Sequence, residues 1–271
     1  MTSGTGLTEF SKELPDRFFD VGIAEGHAVA MAGGMAKQGL IPVFAVYSSF
    51  LQRGFDMLIH DISLDKLHAV FCVDRAGLVG ADGQTHHGCF DPAYLTQIPG
   101  MTVLCPASFA ELRDMLRYAI RYPRGGEKDY TAASDPERCY ITLQDGADFT
   151  ILSYGILINE ALKAAELLAE KGISVRVIKL NRIAPLSEAD VASMLSGTRR
   201  LLVLEDCIAA GCVGEKVTCL AALAGVRLDK LVLKNCGDRL PNEGSVEELD
   251  HAFGLDAASV ATSIEEVLHE Q

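Results

Sequence analysis

No stretch of this 271-residue sequence approaches the ~20 consecutive apolar residues that a membrane-spanning helix needs, which argues against a membrane protein. Basic residues are also scarce, since 24 Lys and Arg stand against 37 Asp and Glu, giving a formal net charge of −13. A chain this acidic is a poor partner for nucleic acid or for an anionic membrane surface. A phosphorylated small molecule is still compatible with it, because a local arginine cluster binds phosphate even on an acidic protein.

The eight cysteines include no CxxC pair, the spacing typical of structural zinc sites and of thioredoxin-like redox motifs. Several of them, such as Cys72 and Cys105, lie inside apolar runs. We therefore expect reduced core cysteines, with neither disulfides nor a metal site on this chain. The first residues also show no basic and apolar leader of the signal-peptide type, so the sequence predicts a cytoplasmic protein.

What the sequence does contain is a regular alternation of apolar, β-rich runs with segments of helical periodicity. Strands alternating with helices imply parallel sheets joined by right-handed crossovers. We therefore predict an α/β protein made of two open, mainly parallel-sheet α/β domains. Ser108 and Glu111 are expected to form a capping box at the start of one helix. The predicted strands lie at 41–47, 68–73, 101–104, 173–180 and 200–205, and the predicted helices include 23–38, 49–62, 108–119 and 214–223.

A change of texture separates the two halves, because residues 125–146 are polar and rich in turn formers. We place a first domain at 1–126, a linker at 127–146 and a second domain at 147–271. Asp145 and Gly146 lie between strand-like runs at 138–143 and 149–154, a pattern that predicts a β-hairpin.

A glycine-rich loop with the sequence DRAGLVGADGQTHHG, residues 74–88, follows directly after the predicted strand at 68–73. It gathers four side chains of catalytic or binding type, namely Arg75, Asp82, His86 and His87. Open α/β sheets bind their ligands in loops at the carboxyl ends of the strands. A loop that only turned the chain would not need these residue types together, so we predict a ligand site here.

Four blocks, in this order, carry a family resemblance: FFDVGIAEGHAVAMAGGMA, YSSFLQRGFDMLIHD, DRAGLVGADGQTHHGCFD and RYPRG. They resemble the pyrimidine-binding domain of the 1-deoxy-D-xylulose-5-phosphate synthases, which are thiamine-diphosphate-dependent enzymes of the transketolase family. In the second half, LVLEDCIAAGCVGEKV and GDRLPNEGSVEELDHAFGLD resemble the C-terminal domain of the same family. The resemblance covers nearly the whole chain. It implies a reaction in which pyruvate and glyceraldehyde 3-phosphate give 1-deoxy-D-xylulose 5-phosphate and carbon dioxide.

The resemblance also implies residue roles on the cofactor side of the site. Glu25 matches the glutamate that lies against the aminopyrimidine ring and promotes loss of the thiazolium proton. Phe50 matches the residue that stacks on the pyrimidine, and Arg53 matches a further position around the cofactor. These roles require Glu25 to be sheltered from solvent and close to Phe50.

On the substrate side, the resemblance places three residues around the acceptor pocket, namely Tyr47, Arg75 and Arg124. The two arginines are assigned to the substrate phosphate, because guanidinium groups match phosphate oxygens. Asp82 and His86 match the pair near the reacting carbonyl groups, where a histidine relays protons near neutral pH. His87 is expected to shape the loop.

The chain departs from the family pattern in three ways. It shows no diphosphate-binding domain with the Gly-Asp-Gly segment and downstream Asn that hold Mg²⁺ and the diphosphate. It begins where the family is already inside the pyrimidine-binding domain, after a helix and a strand. It also reaches Arg121 without the strand that the family has before RYPRG. We therefore expect Mg²⁺ to be held by a missing or partner domain, and the chain alone to be inactive.

These departures leave alternatives open. The chain is expected to form a homodimer, to bind a separate diphosphate-binding subunit, or both. It is either one subunit of a split enzyme or a truncated relative with little activity. A split transketolase acting on another sugar phosphate is a rival within the enzymes. A non-catalytic assembly module is a rival of another class, and Glu25→Ala would leave every property of such a module unchanged.

Overall fold

The computed structural model describes residues 2–116, 119–123 and 126–270 of the chain. Over these residues the chain forms two five-stranded sheets. Every residue of the strands Val70–Asp74 and Phe149–Tyr154 is buried, as expected for strands that are covered on both faces. The strands are β1 (Val43–Tyr47), β2 (Val70–Asp74), β3 (Val103–Leu104), β4 (Ala119–Arg121), β5 (Tyr140–Gln144), β6 (Phe149–Tyr154), β7 (Val175–Leu180), β8 (Arg182–Ala184), β9 (Arg200–Leu204) and β10 (Lys230–Lys234).

The helices are α1 (Thr8–Glu13), α2 (Glu25–Lys37), α3 (Ser48–Leu51), α4 (Phe55–Met57), α5 (Asp91–Leu95), α6 (Phe109–Met115), α7 (Ile158–Ala169), α8 (Glu188–Met194), α9 (Val213–Leu223), α10 (Val246–Phe253) and α11 (Ala257–His269). A 3₁₀ turn at Gln52–Gly54 separates α3 from α4, and a π-helical stretch at Leu58–Ser63 follows α4. The single helix predicted at 49–62 is thus a chain of short helical segments. None of the helices in the described ranges combines the length and apolar character needed to traverse a bilayer.

The strand order confirms the predicted α/β class with two mainly parallel sheets. The first sheet has the order β1-β2-β4-β3-β8, and the second has the order β10-β9-β6-β7-β5. Neighbouring strands are parallel except at one end of each sheet, where β8 pairs antiparallel with β3 and β5 pairs antiparallel with β7. Parallel neighbours need a crossover connection, and α7 provides one between β6 and β7.

The region just before Arg121 differs from the prediction. Helix α6 ends at Met115, and β4 begins at Ala119, the residue at which the predicted helix was expected to end. Strand β4 pairs in parallel with both β2 and β3. A strand is therefore present directly before Tyr122, where the sequence predicted none, and it is only three residues long.

The predicted hairpin around Asp145 and Gly146 is also wrong. Strands β5 and β6 are not neighbours, because β7 lies between them and pairs with both. Gly146 instead packs directly on β7, where a Cβ atom would lie only 2.2 Å from the carbonyl carbon of Val175. Strand β5 falls inside the 127–146 segment proposed as a linker, and the division of the chain into domains stays a prediction.

The two halves of the chain share part of a sheet and part of a core. Strand β8 belongs to the second half but extends the first sheet through its pairing with β3. One cluster of buried apolar side chains contains Phe71 and Leu95 from the first half and Leu152 and Val203 from the second. The halves therefore pack against each other through both backbone and side-chain contacts.

A buried ion pair adds a polar link between the halves. Lys179 Nζ on β7 lies 2.9 Å from Glu111 Oε1 on α6, and both side chains are fully buried. The Glu111 carboxylate also accepts hydrogen bonds from Ala107 N–H and from the Tyr130 hydroxyl. The predicted capping box is therefore only half formed: Ser108 Oγ accepts from Glu111 N–H at 3.1 Å, whereas the carboxylate is engaged elsewhere.

Candidate functional site

Glu25 lies in the first turn of α2 and is only 7% exposed. Its Oε1 accepts a hydrogen bond from Arg53 Nη1 at 3.1 Å, in an ion pair whose arginine side chain is largely exposed. The glycine that follows Glu25 allows this approach, because a Cβ atom on Gly26 would lie 2.4 Å from Met57 Cε and 3.4 Å from the Arg53 carbonyl oxygen. The Glu-Gly pair in the sequence therefore lets α2 pack tightly against the segment that carries Arg53.

Three ring side chains cluster beside this ion pair. The rings of Tyr47 and Phe50 are stacked with centroids 5.5 Å apart, and the His86 ring meets Phe50 edge-on at 5.2 Å. The Arg53 guanidinium lies 5.2 Å from the centroid of the Phe50 ring. Arg53 thus contacts both Glu25 and Phe50, and this links the buried carboxylate to an aromatic face. The structure brings these five sequence-predicted residues to one place.

Arg75 connects the ring cluster to the glycine-rich loop. Its guanidinium lies 4.1 Å from the Tyr47 ring centroid, and its Nε donates to Asp82 Oδ2 at 3.1 Å. Its Nη1 lies 2.5 Å from Asp74 Oδ2 and also donates to the Gly4 carbonyl at 3.1 Å. Burial raises the pKa of Asp74, although the positive charge of Arg75 opposes that rise.

The backbone at Arg75 is itself unusual, because its φ is +61° in a residue other than glycine. Left-handed backbone at a larger residue costs free energy, and it persists where surrounding contacts hold it. Here the hydrogen bonds to Asp74 and Asp82 provide that restraint. The strain lies at the carboxyl end of β2, directly at the predicted site.

The two adjacent histidines face different surroundings. His86 is half-buried, contacts the rings of Tyr47 and Phe50, and its Nδ1 lies 2.9 Å from the Thr85 hydroxyl. His87 is buried, and burial lowers its pKa. Of the pair, His86 therefore belongs to the ring cluster, whereas His87 is a buried residue of the loop.

A cleft of about 410 Å³ opens on the other side of Arg75. It lies at the carboxyl ends of three strands, which contribute Asp74, Tyr122 and Pro106, and Ile156 from the second half also lines it. Glu25 and Phe50 do not line this cleft. Arg75 therefore stands between two features, the acidic and aromatic cluster and the cleft. Arg124, the second arginine assigned to phosphate, lies outside the residues that the structure describes.

Sequence reasoning missed a buried charge network directly behind the site. Arg121 is 3% exposed, and it donates to Asp91 Oδ2 and Asp206 Oδ1, both at 2.8 Å. Burial raises the pKa of Asp91 to about 6 even though Arg121 lies beside it. The RYPRG motif contains both Arg121 and Arg124, but the sequence analysis considered only Arg124 as a functional residue. Recognising a strand that ends at Arg121 would have indicated that the Arg121 side chain is buried.

Family models match both halves of the chain. Residues 1–126 match the family described as transketolase, pyrimidine binding domain, and residues 140–260 match the family described as transketolase, C-terminal domain. Among solved structures, the chain is similar to one described as a split gene transketolase, inactive beta4 tetramer. That match has a TM-score of 0.86 and 26% sequence identity, and covers 99% of this chain and 89% of that one.

Two curated relatives are 1-deoxy-D-xylulose-5-phosphate synthases. The enzyme of Halalkalibacterium halodurans is 42% identical over 283 residues, which cover 99% of this chain and 45% of the relative. The enzyme of Clostridium kluyveri is 43% identical over 279 residues, which cover 99% of this chain and 44% of the relative. The chain therefore spans somewhat under half the length of the curated relatives that it matches.

Proposed function

The chain belongs to the transketolase family, and from that premise we propose that it is a component of a thiamine-diphosphate-dependent transferase of the 1-deoxy-D-xylulose-5-phosphate synthase type. The proposed reaction joins pyruvate to glyceraldehyde 3-phosphate with release of carbon dioxide. The observation that carries the proposal is the buried Glu25 carboxylate, linked through Arg53 to the Phe50 ring. A carboxylate beside an aromatic face is the arrangement that an aminopyrimidine requires.

The residues present fit one end of thiamine diphosphate. Glu25 offers a carboxylate that can exchange a proton with a ring nitrogen, and Phe50 offers a face for stacking. Among the described residues, no group of three or more His, Cys, Asp or Glu side chains is placed to hold a metal. A Mg²⁺-diphosphate site does not require such a group, because it needs only one or two carboxylates beside the phosphate oxygens. We propose that a separate domain or subunit holds the diphosphate and Mg²⁺, since the two families that this chain matches are the pyrimidine-binding and C-terminal domains.

When bound, the cofactor supplies the nucleophilic carbon that carries the acyl group between substrates. With the cofactor bound, Glu25 would hold or give up a proton at the pyrimidine ring, and Arg53 would keep the Glu25 carboxylate oriented. Phe50 would offer its ring for stacking, and the burial of Glu25 would keep water away from the exchanging proton.

On the acceptor side, Arg75 and Arg124 would bind the substrate phosphate, and Tyr47, whose ring contacts the Arg75 guanidinium, would contribute from the side of the ring cluster. A phosphate near Arg75 competes with Asp74 and Asp82 for its guanidinium, so binding would release one of these carboxylates. Asp82 and His86 would then move protons at the reacting carbonyl groups. The contact of His86 with Phe50 supports this placement next to the cofactor side.

We propose that the chain works as a homodimer, as a complex with a diphosphate-binding subunit, or as both. The similarity to a split gene transketolase described as a tetramer supports an assembly of several chains. We also propose a cytoplasmic location. Its support is the state of the cysteines, which are free thiols, seven of them buried and Cys219 exposed.

Calorimetric titration of thiamine diphosphate with Mg²⁺ tests the cofactor assignment, using the full chain alone and mixed with candidate diphosphate-binding subunits. Glu25→Gln keeps the size of the side chain and removes its charge. In an active complex it should lower turnover about 10²-fold or more, because acid–base groups typically contribute that much. Glu170→Gln, at an exposed position after α7, is the matched control and should leave turnover unchanged.

Full activity of the Glu25→Gln complex would contradict the proposal. Absence of cofactor binding with and without a partner, together with unchanged behaviour of Glu25→Ala, would favour a non-catalytic assembly module. The split-transketolase alternative, which the similarity to a split gene transketolase favours, predicts ketol transfer between sugar phosphates. Release of carbon dioxide from labelled pyruvate separates that alternative from the synthase.

A further inference from the structure

The loop that carries Asp82 and His86 forms hydrogen bonds with the second half of the chain. His87 Nε2 lies 3.1 Å from the Asn242 carbonyl oxygen, and Gln84 Nε2 donates to Asn242 Oδ1 at 3.2 Å. At the far end of the loop, the Cys89 carbonyl accepts from Ile208 N–H at 3.1 Å. Two segments of the second half, around 206–208 and around 242–246, therefore contact the loop directly.

Glycines allow the backbones to meet without side chains between them. A Cβ atom on Gly77 would lie 2.0 Å from Asp206 Oδ2, and one on Gly80 would lie 3.2 Å from the Gly244 carbonyl oxygen. Both glycines also have positive φ, at +74° and +58°. Close contact with the second half thus explains Gly77 and Gly80, whereas Gly88 packs against Arg75 and Ser48 of the first half.

The buried arginine behind the site closes the same contact. Arg121 Nη2 donates to Asp206 Oδ1 at 2.8 Å and lies 3.4 Å from the Gly88 carbonyl oxygen. It therefore ties the last residues of the loop to a carboxylate of the second half. Because Arg121 and Asp206 are both buried, solvent does not weaken this ion pair as it weakens surface pairs.

His87 is the side chain at the centre of the contact. Val79 N–H donates to its Nδ1 at 3.2 Å, so the proton of the neutral ring is on Nε2, which donates to the Asn242 carbonyl. One imidazole thus fixes the loop internally through Nδ1 and externally through Nε2. Asp82 lies five residues before it and His86 immediately before it in the chain.

We propose that the C-terminal half positions the glycine-rich loop of residues 74–88. His87 is the positioning residue, because its hydrogen bond to Asn242 fixes the part of the loop that carries Asp82 and His86. This inference rests on the proposed function for its catalytic consequence. Its structural part, a loop ordered by Asn242 through His87, stands independently of any activity. The C-terminal half is then part of the working site and more than an assembly surface.

Two substitutions of His87 separate its two hydrogen bonds. An asparagine amide lies near the position of Nδ1, so His87→Asn keeps the bond to Val79 and loses the reach to Asn242. A glutamine amide extends to the position of Nε2, so His87→Gln keeps a donor for the Asn242 carbonyl. The full chain of each variant is followed by amide hydrogen exchange, with peptides from the loop compared with peptides from α7.

We expect exchange in residues 79–88 to rise about tenfold in His87→Asn, to stay near the wild-type rate in His87→Gln, and to be unchanged in α7 in both. Unchanged loop exchange in His87→Asn, or an equal rise throughout the chain, would overturn the proposal. Gln84→Ala, at an exposed position, removes the second contact to Asn242 and should raise loop exchange by a few-fold. It provides the test should the His87 variants not fold, and an unchanged loop in Gln84→Ala would then overturn the proposal.

In a complex that turns over, His87→Asn should lower kcat/KM about tenfold and His87→Gln should restore most of it. Wild-type kcat/KM in His87→Asn would remove the positioning role. If the loop exchanges faster in His87→Asn but not in His87→Gln, and no partner gives turnover, the proposed function is contradicted. The ordering of the loop by Asn242 through His87 would still be established.

Discussion

The side chain of Asp250 tests what it costs the fold to bury a carboxylate in the second half of the chain. This aspartate of α10 is 6% exposed, and burial raises its pKa to about 7. Lys128 opposes that rise, whereas Asp206, Glu160 and Glu247 reinforce it. The charged form of Asp250 therefore lowers the free energy of unfolding. The substitution Asp250→Asn removes that charge with little change of shape.

The size of the effect follows from the pKa values. A rise from 3.8 to about 7 corresponds to about 4 kcal/mol as an upper bound, at about 1.4 kcal/mol per pKa unit. Because the folded state binds this proton more tightly than the unfolded state, the Asp250 contribution to stability falls as pH rises between about 4 and 7. Above that interval Asp250→Asn should be the more stable protein, by about 1–4 kcal/mol.

Urea unfolding at several pH values between about 5 and 8 measures this difference. Asp256→Asn is the matched control, because hydrogen bonds from Ser259 outweigh burial and lower the pKa of Asp256. Asp256 stabilises the fold above its ordinary pKa, and that contribution is lost only on acidification. Parallel stability curves for wild type and Asp250→Asn across the whole range would refute the reasoning about Asp250.

Two further changes probe contacts between the halves. Gly77→Ala places a Cβ 2.0 Å from Asp206 Oδ2 and should cost at least about 3 kcal/mol of unfolding free energy, against about 1 kcal/mol for Gly197→Ala, whose Cβ meets no atom within 4 Å. Equal losses for the two alanines in urea titrations would contradict the close contact. Lys179→Met strands the fully buried Glu111 carboxylate and should cost about 3–5 kcal/mol, part of which the added change Glu111→Gln should restore. A double-mutant cycle without coupling energy would contradict that pair.

Local patterns in the sequence were sufficient for the fold class, whereas the residues assigned to the site came largely from the family resemblance. The helix that carries Glu25 and the strand before Arg75 follow from periodicity over a few residues, and both lie close to their predicted positions. The hairpin prediction failed at Gly146. A local turn signal does not show that a later strand, here β7, lies between the two strands that flank the turn. The boundary near Ala119 failed because a short apolar run suits a helix and a strand equally.

The network behind the site was beyond any local pattern. Arg121 and Asp206 are 85 residues apart in the chain, and their pairing depends on how the two halves pack. The contact of His87 with Asn242 spans 155 residues for the same reason. Motif reading could identify which residues lie in the loop, but only the tertiary structure shows that the second half supports them.

The antiparallel pairing of β8 with β3 also has a consequence for synthesis. The ribosome releases β3, a strand of two residues, about eighty residues before the partner that covers its outer side. Until residue 184 has emerged, the nascent first half carries an open strand edge, the kind of surface on which unfolded chains aggregate. The late-made half thus protects the early-made half, and a polypeptide cut between them would lose that protection.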